Sequence, residues 1–248
     1  MNSHAVSSLL SPFRRIMRTL VDFSHRDLFC HPLDKARIRY LAPPEGVRFE
    51  RIDECNVRDA IGWLGASRIR RFRRFLRRGD IGTYGYLNDE VVHHGWCLVR
   101  VPGRRLQSGH DPIEPGEAFL HWGYVHPKAR RLGIGSSGLT RKLDLLASIL
   151  PDQGIERVYT VMRIENEASR RTILKLGFTH VSRITTLVLL GHFFVYRFHD
   201  VQPDGSFGPG RLRVAFKLPE IIWDPAFDRF RPRHSVAVRP PDVGSEMI

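Results

Sequence analysis

The sequence predicts an α/β (α+β) domain, and three observations carry the prediction. A strand, a glycine turn and a helix follow one another over residues 119–150; a two-stranded hairpin spans 82–99; a strand, a helix and closing strands fill 157–198. Strands therefore outnumber helices.

Residues 1–25 interleave Arg14, Arg15 and Arg18 with Leu10, Phe13, Ile16, Met17 and Leu20. This reads as a basic amphipathic helix that packs on the domain; the same pattern also suits a helix on an anionic membrane or a transit peptide. Ile38 to Leu41 reads as a short strand before the Pro43–Gly46 turn, and Val47 to Ile52 alternates as the opening strand of the core. From Asp53 to Gly79 the chain is helical, with Ile69, Phe72, Phe75 and Leu76 on one face and seven arginines between Arg68 and Arg78 on the rest. The run suits a solvated helix flanking an acceptor cleft, and it also raises nucleic acid as a partner.

Gly82–Leu87 and Val91–Val99 form a hairpin around Asn88-Asp89-Glu90, and Ala118–Val125 pairs antiparallel with its second strand. The stretch Val101–Gly116 is a loop long enough for a substrate lid. After the helix Ser136–Leu150 come a turn at Pro151–Gly154, a strand at Val158–Met162, and a helix capped by Asn166 and stopped by Gly177. Strands at 178–190, 193–198 and 212–218 close the chain, whose tail beyond Asp224 is rich in Pro and Arg. The expected organisation is an N-terminal helix and linker over 1–46, a core domain over 47–198, and a partly irregular C-terminal extension over 199–248.

The formal net charge of +13 comes from 34 Arg and 5 Lys, a potential that attracts nucleotides, nucleic acids or acidic lipids without choosing among them. No run reaches the roughly 18–20 apolar residues of a membrane span. Cys30, Cys55 and Cys97 share no metal-type spacing and cannot all pair. A reducing, cytoplasmic location is the simpler expectation.

Residues 130–136 are built for an anion. Gly133 and Gly135 stand directly before a helix, where backbone N–H groups can turn inward at the positive end of the dipole, and Arg130 and Arg131 add guanidinium groups. The spacing is neither a Walker A loop nor a dinucleotide fingerprint. It resembles the acyl-CoA signature of the GNAT superfamily of N-acyltransferases, Arg/Gln-x-x-Gly-x-Gly/Ala, matched by Arg130, Gly133 and Gly135. Val125-x-Pro127, Asn166-Glu167-Ala168-Ser169 and Leu176-Gly177-Phe178 extend the match over roughly 48–198.

That resemblance implies a GNAT-type mixed, mostly antiparallel sheet flanked by helices. It implies acetyl-CoA or another acyl-CoA as co-substrate, a small-molecule primary amine as acceptor, and direct attack within a ternary complex. Tyr124 and Val125 would pair with the pantetheine amides; Arg130, Arg131, Leu132, Gly133, Ile134, Gly135 and Ser136 would hold the pyrophosphate. Asn166 would either contact the cofactor or only cap its helix.

The attacking amine must lose a proton. His121, on the cofactor strand, is the first candidate base; Glu117 is the second, and His93 or His94 the third. His93 and His94 alternate across a strand, so no metal site is expected. Ile173 stands where many relatives carry a tyrosine acid, which leaves that role open. Two other readings remain: an amino-sugar or sugar-nucleotide acetyltransferase of surface-polysaccharide assembly, and a non-catalytic module that binds polyanions on the same scaffold.

Overall fold

A computed structural model of the chain describes residues 21–34, 38–99, 116–149, 154–189, 193–217 and 222–223. The strands are β1 (Val21–Pro32), β2 (Val47–Ile52), β3 (Ile81–Leu87), β4 (Glu90–Val99), β5 (Glu117–Val125), β6 (Arg157–Arg163), β7 (Thr179–Leu189), β8 (Phe193–Asp200), β9 (Arg211–Lys217) and β10 (Ile222–Trp223). Three α-helices lie between them: α1 (Ile61–Arg78), α2 (Ile134–Ile149) and α3 (Glu167–Lys175). All ten strands join one sheet in the order β10-β9-β8-β7-β1-β6-β5-β4-β3-β2. Every neighbouring pair is antiparallel except β5 and β6.

The hairpin forms as its turn chemistry dictates, with Asn88 and Asp89 both at positive φ, 50° and 63°. Helix α1 ends at Gly79 in the left-handed conformation, φ 87°, where its N–H returns to Leu76 and that of Asp80 to Phe75. Leu64, Ile69, Phe72 and Phe75 of α1 pack against Tyr84, Tyr86 and Trp96 on one face of the sheet. Leu143 and Leu146 of α2 and Ile173 of α3 meet Phe29, Cys97 and Phe178 on the other. Successive strand residues alternate faces, so Trp96 serves the first layer and Cys97 the second.

Three expectations need correction. Val21–Pro32 is a strand rather than the end of a helix and a linker, and it lies between β6 and β7 at the middle of the sheet. Its Asp27 is fully buried; Arg183 donates to it at 2.9 Å, Arg170 lies at 3.5 Å and His180 at 3.3 Å. Residues 38–41 form no strand, and residues 53–60 are turns, with α1 starting only at Ile61 and broken again at Gly65 (φ 76°, ψ 160°). Residues 1–20 of the helix expected over 1–25, residues 101–115 of the lid loop expected over 101–116, and the tail beyond 224 lie outside the described residues. Among the described residues, no helix is long and apolar enough to cross a membrane.

Candidate active site

Strands β5 and β6 run side by side from Glu117↔Arg157 to Leu120↔Thr160, and then part. Beyond that point β6 stays with β1 as far as Arg163↔Arg26, while β5 stays with β4 as far as Val125↔His93. Among the described residues, the facing edges of 121–125 and 161–163 have no strand partner in the gap. A V-shaped opening results, able to take an extended amide-bearing chain.

At the outer end of β5 the chain passes through a 3₁₀ turn, Pro127–Ala129, into the glycine bend. Arg131 and Gly133 adopt positive φ, 68° and 78°, so the inward turn uses one arginine and one glycine. Gly135 already belongs to α2, and its bareness serves space: a Cβ there would stand 3.2 Å from Val125 Cγ2. The first helical donor with a backbone carbonyl is Ser137, whose N–H reaches Gly133 O at 3.1 Å. The N–H groups of residues 131–136 donate to no backbone carbonyl among the described residues. Ile134, buried with Val47, Val92 and Ala129, anchors the helix start, and Arg130 leans toward the Tyr124 hydroxyl at 3.4 Å. Six N–H donors without a backbone acceptor among the described residues, at a helix N-terminus beside two arginines, fit a diphosphate.

The sequence profile of the acetyltransferase (GNAT) family matches residues 49–178. The chain belongs to that family. Among solved structures, a tandem GNAT protein from the clavulanic acid biosynthesis pathway aligns over 78% of this chain and 58% of its own at 15% identity, with a TM-score of 0.52. A Drosophila protein aligns over 74% and 58% at 11% identity, with a TM-score of 0.50. The chain thus spans under two thirds of each, and at these identities the likeness is one of fold. No curated protein matches the sequence.

At the inner end of the gap the GNAT sheet is irregular. His94 opposes Tyr124 and Trp96 opposes His121, so Trp122 and Gly123 of β5 face Gly95 alone. This bulge drives Trp122 to φ 52°, a strained conformation for a bulky residue, and leaves it 39% exposed. His121 projects toward α1. Its Nε2 lies 3.1 Å from Asp80 Oδ2, and Asp80, itself buried, is also held by Arg78. A carboxylate only accepts, so Nε2 carries the hydrogen and Nδ1 keeps the lone pair. Burial lowers the His121 pKa from its ordinary value, while the Asp80 hydrogen bond acts the other way.

On the opposite face, beneath the same bulge, lies Lys142 of α2. It is buried, and among the described residues it makes no hydrogen bond or ion pair. Its ammonium fills the space a side chain at Gly95 would need, which explains why position 95 is glycine. Burial pulls its pKa down to about 8. Sequence reading missed Lys142 because the glycine that admits it, Gly95, belongs to β4 rather than to its own helix. It also missed Asp80, whose position directly after Gly79 looks only like the end of a helix.

The other expected residues separate. Glu117 sits where β5 and β6 are still paired, 3.1 Å from Arg157 and reached by the Tyr159 hydroxyl at 3.4 Å. Asn166 accepts the Ser169 N–H at 3.3 Å, a cap in this structure. His93 points to α2, close to Gly138, whereas His94 points to α1 between Phe72, Trp63 and Tyr124. The ring nitrogens of His94 make no well-formed hydrogen bond, only a loose approach to the Trp122 backbone. Ile173, at the position of the family's tyrosine, is a core residue.

These buried imidazoles have a thermodynamic consequence. Burial lowers the pKa of His93 far below normal, that of His94 to about 4, and that of His121, with the Lys142 charge adding to each. The unfolded chain takes up protons near pH 6.5 while the folded one still refuses them, so unfolding free energy should fall as pH drops below about 6.5, by up to roughly 1.4 kcal/mol per pH unit for each withheld proton. Urea melts between pH 7.5 and 4.5 check this; stability that is flat or rising toward acid contradicts it.

Proposed function

We propose that the protein is an N-acyltransferase that moves an acetyl group from acetyl-CoA to a primary amine. The reading rests on one juxtaposition: a run of N–H donors without backbone acceptors among the described residues at one end of the parted strands, and an imidazole held by a buried carboxylate at the other. Family membership supports it, since GNAT proteins are acetyltransferases that use acetyl-CoA. Acetyl-CoA supplies the activated acyl group. Residues 131–136 and Arg130 bind its diphosphate, and the open edge of β5 at Tyr124 and Val125 aligns the pantetheine amides.

The amine approaches from the α1 side, where His121 Nδ1 takes its proton before or during attack. As the new C–N bond forms and the C–S bond breaks, the proton leaves with His121 and the electron pair with sulfur. Ile173 offers no acid at the family's usual place, so the thiolate is protonated by water or by the Tyr124 hydroxyl. Glu117 is assigned to architecture, because Arg157 and Tyr159 occupy its carboxylate at the closed end of the strands.

Calorimetric titration with acetyl-CoA tests the donor site. Saturable binding is expected, and Gly135→Glu should weaken it by about a hundredfold or more, since the new side chain crowds Val125 and sets a negative charge beside the diphosphate. Binding that survives the substitution unchanged would remove the donor site from residues 130–136. The non-catalytic reading, motivated by the Arg68–Arg78 run and by Ile173, fails if any amine in an acceptor panel releases free thiol.

A further inference from the structure

Helix α1 carries far more positive charge than its fold requires. Positions 68, 71, 75 and 78 fall on one flank, at spacings of three and four. Those at 71, 75 and 78 touch the inner end of the gap, and the charge of Arg68 is felt there. The Arg71 guanidinium lies 4.6 Å over the Trp122 ring; Phe75 meets His121 and Trp122 edge-on at 4.9 and 5.8 Å; Arg78 holds the Asp80 that holds His121; and the Arg68 charge acts on His94. Arg70, Arg74 and Arg77 continue the charge outward and are exposed.

Little opposes it. Among the described residues, Arg68, Arg70, Arg71, Arg74 and Arg77 have no ion pair. Of the carboxylates nearby, Asp80 is buried below the flank, and Glu54 lies 3.9 Å from Arg73 on the far side of the helix. An uncompensated cationic wall beside a proton acceptor is unfavourable for a cationic amine, whose own charge it repels. It favours an acceptor that brings its own negative charge. The bulge adds the exposed Trp122 ring, kept in strain and stacked beneath a guanidinium, as a flat surface at the same place.

We propose that the acceptor is a small amine carrying a phosphate group, gripped by Arg68 and Arg71 while its amine reaches His121. The proposal deepens the acyltransferase reading and rests on it for the reaction. Its anion site can be measured separately.

Matched pairs of amines, ethanolamine with O-phosphoethanolamine and glucosamine with glucosamine 6-phosphate, are compared by free-thiol release. Inorganic tripolyphosphate is titrated in parallel into protein saturated with CoA, so that the donor's diphosphate site is already filled. At least one phosphorylated amine should be preferred over its partner by about tenfold or more in kcat/KM, and the preference should shrink with salt. In Arg68→Gln/Arg71→Gln it should drop by about tenfold, and tripolyphosphate binding should vanish. Circular dichroism of that variant verifies its fold; the single exposed substitution Arg71→Gln, giving an intermediate loss, serves if the double variant is unstable.

Equal or better use of the unphosphorylated amines overturns the proposal while leaving the acyltransferase reading intact. So does tripolyphosphate that fails to bind, or binding that the substitutions leave unaltered. A single-stranded RNA that displaces tripolyphosphate at lower phosphate concentration overturns it in favour of a macromolecular polyanion. Absence of acetyl-CoA binding instead defeats the acyltransferase reading, and tripolyphosphate binding compared between the unaltered protein and Arg68→Gln/Arg71→Gln then still reports on the arginine wall.

Discussion

Deleting residues 1–33 is expected to leave a chain that no longer unfolds cooperatively. Residues 49–178 carry the family match, so a domain cut to that match would lack β1, yet β1 is hydrogen-bonded to β6 along one edge and to β7 along the other. Removing it takes out Phe29, fully buried in the main core, and Leu28 and Cys30 from the other face. Burying a Leu or Phe side chain contributes about 1.5–3 kcal/mol each. Against a total stability of roughly 5–15 kcal/mol, their loss together with two ladders of backbone hydrogen bonds exceeds what the domain can spare.

Asp27 sharpens the effect, because its removal leaves Arg170, Arg183 and His180 clustered without their shared carboxylate. Thermal melts followed by circular dichroism, with a companion deletion of residues 1–20 to isolate the share of β1, provide the check. A chain lacking 1–33 that melts in a single transition within a few degrees of full length, and still binds acetyl-CoA, would show that β6 and β7 close on each other without it.

The same strand shows where sequence reading stops. Val21–Pro32 contains His25, Arg26 and Asp27 in mid-strand, which breaks alternation and argues against a buried position. Asp27 becomes acceptable inside only through Arg170 on α3 and Arg183 on β7, about 140 residues or more along the chain. By contrast, the hairpin, the glycine bend and the Asn166 cap are each decided within a few residues, by turn geometry or helix-end donors, and each was legible.

The site divides along the same line. The bend at residues 130–136 could be read because a glycine turn into a helix start is a local device, although which residues supply positive φ, Arg131 as well as Gly133, depends on the fold. The Asp80–His121 pair joins the end of α1 to the middle of β5, and the Lys142 pocket joins α2 to Gly95; neither leaves a trace in local pattern. The seven arginines of α1 were visible as a charge run, but their direction was not. Only the contacts of Arg71 with Trp122 and of Arg78 with Asp80 turn that flank toward the bulge.

His121→Ala is expected to lower kcat/KM by about 10²–10⁴ while acetyl-CoA still binds, because the donor site proposed at residues 130–136 does not include it. The pH profile of the unaltered protein should distinguish a proton acceptor from a merely structural imidazole. Below its pKa the ring is protonated and cannot accept, so the rate falls on the acid side; burial lowers that pKa, so the fall should begin below the ordinary histidine range. Asp80 pulls in the opposite direction, since its carboxylate favours the charged ring. Asp80→Asn should therefore move the acid limb to still lower pH, and it should also reduce the plateau, because Nε2–H is no longer held by a carboxylate and Nδ1 is less firmly presented to the amine. Loss of structure alone would lower the plateau without moving the limb. An acid limb that persists in His121→Ala, or one that shifts upward in Asp80→Asn, would take the proton-acceptor role away from His121 and leave the unpartnered ring of His94, on the same face at the other side of the bulge, as the group to examine.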